Sequence, residues 1–167
     1  MRTRVVLCIV LVAAFAVTGC ASRSSVAFQP SFQRGQAASQ SDKGPPLTKV
    51  SKKYRRGCAC GVRLSNNCAH YLSNAFIEAG YTELLEVPWI TERCKAGRVI
   101  RAQDMLKWFQ EKRGQFHLGT PPPKSGLWAT YQEKPDRRHV LITDTNKNTY
   151  YGTDNCLTWP TQWHYQW

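Results

Sequence analysis

Apolar and polar positions alternate along this chain with three different periods, and each period predicts a different element. Val5 to Val17 is an unbroken apolar run, too short for a comfortable membrane span. Residues 22–53 then carry no strong apolar periodicity. Cys68, Leu72, Ala75, Phe76 and Ala79 recur at i, i+4, i+7, i+8 and i+11, which predicts a helix with one apolar face. Ser65, Asn66 and Asn67 precede it as good cap residues, and Gly80 closes it. Ala102, Met105, Leu106 and Phe109 predict a second amphipathic helix within Ile100–Gly114, with Trp108 at its edge. Between them, Tyr81 to Arg98 reads as loop with a short irregular segment around Pro88.

Beyond Pro121-Pro122-Pro123, which stop helical structure, the period changes to that of strands. Leu127–Tyr131, Arg138–Thr143 and Thr149–Thr153 are the predicted strands, and the turn-rich Asp144-Thr145-Asn146-Lys147-Asn148 joins the last two as an antiparallel hairpin. Helix, helix, then strands with short turns is the pattern of an α+β domain, with four to six antiparallel strands expected. The aromatic tail with Trp159, Trp163, Tyr165 and Trp167 is read as a cover for the core, with a carbohydrate-facing surface as the alternative.

Composition divides the chain. Arg2 and Arg4 before the apolar run make residues 1–19 an export signal, outside any fold argument. Val17-Thr18-Gly19-Cys20-Ala21 resembles the lipobox of bacterial lipoproteins. That resemblance implies lipid on Cys20, a membrane anchor through it, and an outer-membrane destination facing the periplasm. Residues 20–53, rich in Ser, Gln, Gly and Pro, read as a tether. The basic run Lys49, Lys52, Lys53, Arg55 and Arg56 lies at the edge of a single folded domain, residues 54–167. The chain has 23 basic and 11 acidic residues, and losing Arg2 and Arg4 leaves about +10. In the cell envelope such a charge meets anionic lipid or wall polymer, so nucleic acid is not an expected partner.

Seven cysteines are present. Cys8 leaves with the signal and Cys20 carries lipid, so Cys58, Cys60, Cys68, Cys94 and Cys156 remain. Export permits disulfides and the odd count leaves one thiol. Cys58, Cys60, Cys94 and Cys156 are the disulfide candidates, with Cys58 and Cys60 too close to pair with each other and Cys68 free. Cys-Ala-Cys lacks the usual two-to-four-residue metal spacing and has no second close pair, so neither a metal nor a cofactor is expected.

Cys68 begins a helix, where the positive end of the dipole favours a thiolate. His139 opens a strand and Asp154 follows the next one, so a hairpin makes them neighbours. Nucleophile, base and orienter then follow in the chain order Cys, His, acid. His70, two residues from Cys68 on another helix face, is a poor base for it, and His117 and His164 are assigned no role.

Three segments resemble the NlpC/P60 and CHAP group of papain-like cysteine hydrolases. They are Asn67-Cys68-Ala69 with its helix, Pro123-Lys124-Ser125-Gly126-Leu127-Trp128, and Arg138-His139-Val140-Leu141-Ile142-Thr143-Asp144 followed by Tyr150-Tyr151-Gly152-Thr153-Asp154-Asn155. The chain departs from their pattern in having Gly126-Leu127 without an intervening acid and Asn67 where Asp or Gln is usual. The resemblance implies a papain-like domain, its nucleophile helix packed on an antiparallel sheet, that hydrolyses amide bonds of peptidoglycan. Cys68 would be nucleophile, His139 base and then acid, and Asp154 the orienter, with Asn155 or Tyr151 as alternatives for the third position. A non-catalytic envelope lipoprotein that binds wall or an anionic surface, or an acyltransferase of the same fold, are the rival readings.

Overall fold

The computed structural model describes residues 44–119, 125–154 and 159–167. Three α-helices, α1 (Leu47–Lys53), α2 (Cys68–Ala79) and α3 (Ala102–Arg113), precede or flank a five-stranded antiparallel sheet. Its strands are β1 (His117–Leu118), β2 (Leu127–Lys134), β3 (Arg137–Asp144), β4 (Thr149–Tyr151) and β5 (Thr161–Gln166), in the order β1-β5-β2-β3-β4. The domain is α+β, as the order of periodicities predicts. The signal with Cys8, the lipobox with Cys20, the proline run with Lys124, and Asn155 and Cys156 lie outside the described residues.

α2 has the predicted apolar face. Cys68, Leu72, Ala75, Phe76 and Ala79 are all buried in one core, and Gly80 ends the helix at φ 120°. Its start differs from expectation. Asn67 does not cap the helix through its side chain; it hydrogen-bonds instead to Leu64 and to His70. In α3, Trp108 belongs to the core rather than its edge, because Met105, Trp108 and Phe109 share one face, while Leu106 is half-buried. The segment before it contains a 3₁₀ turn at Thr82–Leu85 and a bridge between Arg93 and Val99.

α1 lies inside the stretch read as tether. Its Leu47 and Val50 are buried in the core, while Lys49, Lys52 and Lys53 stay exposed. Two apolar residues three apart suffice for one docked turn, a signal too short to register as periodicity. The tail also does more than cover the core. β5 enters the sheet between β1 and β2, and Trp167 packs among Phe76, Tyr81, Trp108 and Phe109.

The two sheet faces differ. Ala129 and Tyr131 of β2, Val140 and Ile142 of β3, and Tyr165 of β5 join the core beneath the helices. The opposite face is buried but polar. Thr130 Oγ1 lies 3.0 Å from both Thr143 Oγ1 and His164 Nδ1, and Gln132 Nε2 donates to Gln162 Oε1 at 3.0 Å. Since alternate residues of a strand share a face, His139, Leu141 and Thr143 belong to this polar face. β4 pairs only with Ile142, Thr143 and Asp144, so among the described residues the first half of β3 has no strand on that side.

Candidate active site

Cys68 is the first residue of α2, which packs against β3. Its thiol donates to Asn66 Oδ1 at 3.1 Å, and Sγ lies 4.0 Å from the carbonyl oxygen of Arg138. The thiol thus rests against the β3 backbone that flanks His139, at the stretch β4 leaves unpaired. It is 1% exposed.

His139 is buried, and its Nε2 has no hydrogen-bond partner among the described residues. Gly152 runs over it so closely that a Cβ there would sit 3.3 Å from Nε2 and 3.0 Å from Leu141 Cβ. This fits the absence of a side chain where the chain crosses the polar face after β4. The Trp159 ring stands 6.1 Å from the imidazole. Two residues past Gly152, Asp154 is exposed, and its Oδ2 accepts from Thr153 Oγ1 at 3.2 Å.

The Asp154 charge acts on both Cys68 and His139, whose side chains do not hydrogen-bond to one another. Burial lowers the pKa of His139, opposed by the Asp154 carboxylate and backbone beside it. Burial raises the pKa of the Cys68 thiol. Hydrogen bonds from the Val140, Ala69 and Cys68 backbone act against this, and the Asp154 charge adds to it. The dipole argument is therefore overturned in sign. Removing the thiol from water outweighs the helix N-terminus, and Cys68 is a thiol at neutral pH rather than a thiolate.

Sequence reasoning missed Tyr54. Its hydroxyl is buried without a partner among the described residues. Burial raises its pKa, and the charges of Cys68, Tyr71 and Asp154 add to the shift. A lone tyrosine after a lysine run carries no pattern that would single it out. Tyr151, one alternative for the third position, is half-buried in β4 against the core.

Two clefts flank the site and share Ser65, Asn66 and Asp154 on their walls. One, of roughly 630 Å³, is lined by His139 and Trp159 together with Arg101, Lys134, Arg137 and Arg138. The other, of roughly 430 Å³, carries Arg56, Arg63 and Tyr71. Basic side chains outnumber acidic ones on both walls, and in the larger cleft they are paired: Arg101 with Glu92, Arg138 with Glu133, and Lys134 and Arg137 with Asp136.

Of the disulfide candidates, Cys58, Cys60 and Cys94 come together beside His70 and none is cross-linked, while Cys156 lies outside the described residues. No family model, curated protein or solved structure matches the chain.

Proposed function

We infer that this domain is a thiol-dependent hydrolase of the papain-like type, acting on amide bonds of peptidoglycan from a lipid-anchored position in the cell envelope. One observation carries the reading. A cysteine at a helix start rests against the backbone flanking a buried histidine whose Nε2 has no partner among the described residues, with Asp154 beside both.

The neutral state of both groups defines the chemistry. His139, uncharged at neutral pH, accepts the Cys68 proton as the sulfur attacks the substrate carbonyl. The carbonyl oxygen takes up the electron pair and is met by the Tyr54 hydroxyl and the backbone N–H at the start of α2. Collapse of that intermediate breaks the C–N bond, and the proton passes from His139 to the leaving amine. Water, activated by His139, then cleaves the thioester and restores the thiol. Asp154 favours the imidazolium that forms between these steps. Arg56 and Arg63 of the smaller cleft meet the carboxylates of the stem peptides.

The burial of Cys68 favours a second reading, a wall-binding lipoprotein that does no chemistry. Incubating purified peptidoglycan with the chain and weighing the soluble fragments separates the two. Hydrolysis predicts fragments with one new amine and one new carboxyl per cut. Binding alone predicts co-sedimentation with intact wall and no release.

A further inference from the structure

On another face of the start of α2 from Cys68, the chain gathers a second cluster. One atom from each of Cys58, Cys60, His70 and Cys94 lies within 4.8 Å of every other. Cys58 Sγ is 3.7 Å from Cys94 Sγ, and Cys60 Sγ is 3.2 Å from His70 Nε2. In a tetrahedron with metal–sulfur bonds near 2.3 Å and metal–nitrogen bonds near 2.0–2.1 Å, the ligand–ligand edges are about 3.5–3.8 Å. We propose that Cys58, Cys60, Cys94 and His70 form a structural zinc site, three thiolates and one imidazole around a single Zn²⁺.

The imidazole is turned for this role. Asn67 Oδ1 accepts from the Leu64 backbone N–H at 2.9 Å while its Nδ2 donates to the Leu64 carbonyl, which fixes the amide orientation. The same Oδ1 lies 3.2 Å from His70 Nδ1, and since an amide oxygen only accepts, Nδ1 carries the proton. The lone pair of His70 is therefore on Nε2, directed at the cysteines. An outer partner that sets the tautomer of a ligating histidine is the usual second layer of a metal site.

The sulfurs are prepared in the same way. The backbone N–H of Cys60 donates to Cys58 Sγ and that of Val62 to Cys60 Sγ, each at 3.4 Å, bonds that strengthen when the acceptor is a thiolate. Cys94 sits on a tight turn closed by Cys94 N–H to the Arg98 carbonyl at 2.9 Å and Gly97 N–H to the Cys94 carbonyl at 2.8 Å. Asn74 of α2 ties both cysteine loops together. Its Oδ1 accepts from Arg98 Nε at 2.9 Å and from the Ala59 backbone N–H at 3.5 Å. A disulfide between Cys58 and Cys94 would use two of the four converging atoms and leave Cys60 against the imidazole without a purpose. Four ligands for one ion account for all of them.

Three thiols lose their protons to solvent on binding, and three thiolates with Zn²⁺ leave a site of net charge −1 beside Arg98. The ion would join the loop before α2, the helix itself and the turn at Cys94. Because Asn67 and His70 bracket Cys68, it would also fix the start of the nucleophile helix. The proposal stands whether or not the domain is a hydrolase.

The test is the zinc content of the whole chain, purified without chelator or reductant, with its intact mass measured in denaturant and chelator. About one zinc per chain is expected, with Cys58, Cys60 and Cys94 recovered as thiols. Cys60→Ser and His70→Ala should each lower the content at least tenfold, and Cys68→Ser should leave it unchanged. Chelated wild-type chain given Co²⁺ should show the visible absorption of a tetrahedral thiolate site, a readout independent of whether the variants fold. A metal-free chain containing a Cys58–Cys94 cross-linked peptide would overturn the proposal. So would reduced, metal-free chain that takes up neither Zn²⁺ nor Co²⁺, or a Cys68→Ser variant that loses the metal.

Discussion

Replacing Phe76 by alanine should remove a large part of the domain's stability. Phe76 is fully buried near the C-terminal end of α2, and its ring meets Trp108 at 5.1 Å, Trp167 at 5.2 Å, Tyr81 at 5.4 Å and Phe109 at 5.8 Å. Those four residues come from the loop after α2, from α3 and from the C-terminal end, so one side chain joins three parts of the chain. Truncating a buried phenylalanine to alanine costs about 3–5 kcal/mol. That range already contains the lost ring contacts, each worth about 0.5–1.5 kcal/mol beyond buried area, and Phe76 makes four of them. Four rigid rings close poorly over a cavity, which places the expected loss at about 4–5 kcal/mol. Against a total of about 5–15 kcal/mol for a domain, the variant should be marginal. Urea unfolding followed by tryptophan fluorescence measures it: with a slope of about 2 kcal/mol per molar, the midpoint should fall by about 2 M. A loss below about 1 kcal/mol, at an unchanged slope, would refute the packing described for α2.

Three further outcomes follow from the site and the polar face. Burial pushes the pKa of His164 down to about 4, where Nδ1 lies against Thr130 and Nε2 donates to the Gly119 carbonyl at 2.8 Å. The folded pKa lies below the ordinary histidine value near 6.5, so the unfolded chain binds the extra proton first. Stability should therefore fall between about pH 6.5 and pH 4 by on the order of 2–3 kcal/mol. His164→Gln should flatten that part of the pH profile in urea titrations. Iodoacetamide labelling of Cys68, located by peptide mass, should rise about tenfold per pH unit from 7 to beyond 9, because the thiol is held above its ordinary value; a plateau near neutral pH would show a resting thiolate instead. Gly152→Ala adds a methyl 3.0 Å from Leu141 Cβ and 3.3 Å from His139 Nε2. It should cost about 1–2 kcal/mol in thermal unfolding and lower peptidoglycan hydrolysis at least tenfold by displacing the imidazole; an unchanged rate would contradict His139 as base.

The elements that sequence revealed are those with a sustained period. α2 and α3 announce themselves because apolar residues repeat over three turns, and β3 because Val140, Leu141 and Ile142 lie between turn residues. α1 and β1 were invisible, since seven and two residues hold too little pattern to distinguish from loop. β5 was hidden for another reason. Trp163 and Tyr165 were visible as apolar, but only their pairing with β2, on the far side from β3, makes the segment a central strand. At the candidate site, the expected placements were legible: Cys68 at a helix start, His139 near the start of a strand and Asp154 just beyond the next one. The sign of the Cys68 shift was not legible, because it depends on how deeply the thiol is covered. The convergence of Cys58, Cys60 and Cys94 on His70 was hidden by the same limit, since spacing along the chain shows ligands in one loop and not those brought in by a helix and a distant turn.

The central claim is that Cys68 and His139 perform the chemistry together, and the most direct measurement is the rate of peptidoglycan hydrolysis by the chain and by Cys68→Ser and His139→Ala, each checked for folding by near-ultraviolet circular dichroism. The account predicts that both variants keep the wild-type spectrum and lose at least a hundredfold in rate. A folded Cys68→Ser chain that releases fragments at the parent rate would contradict it.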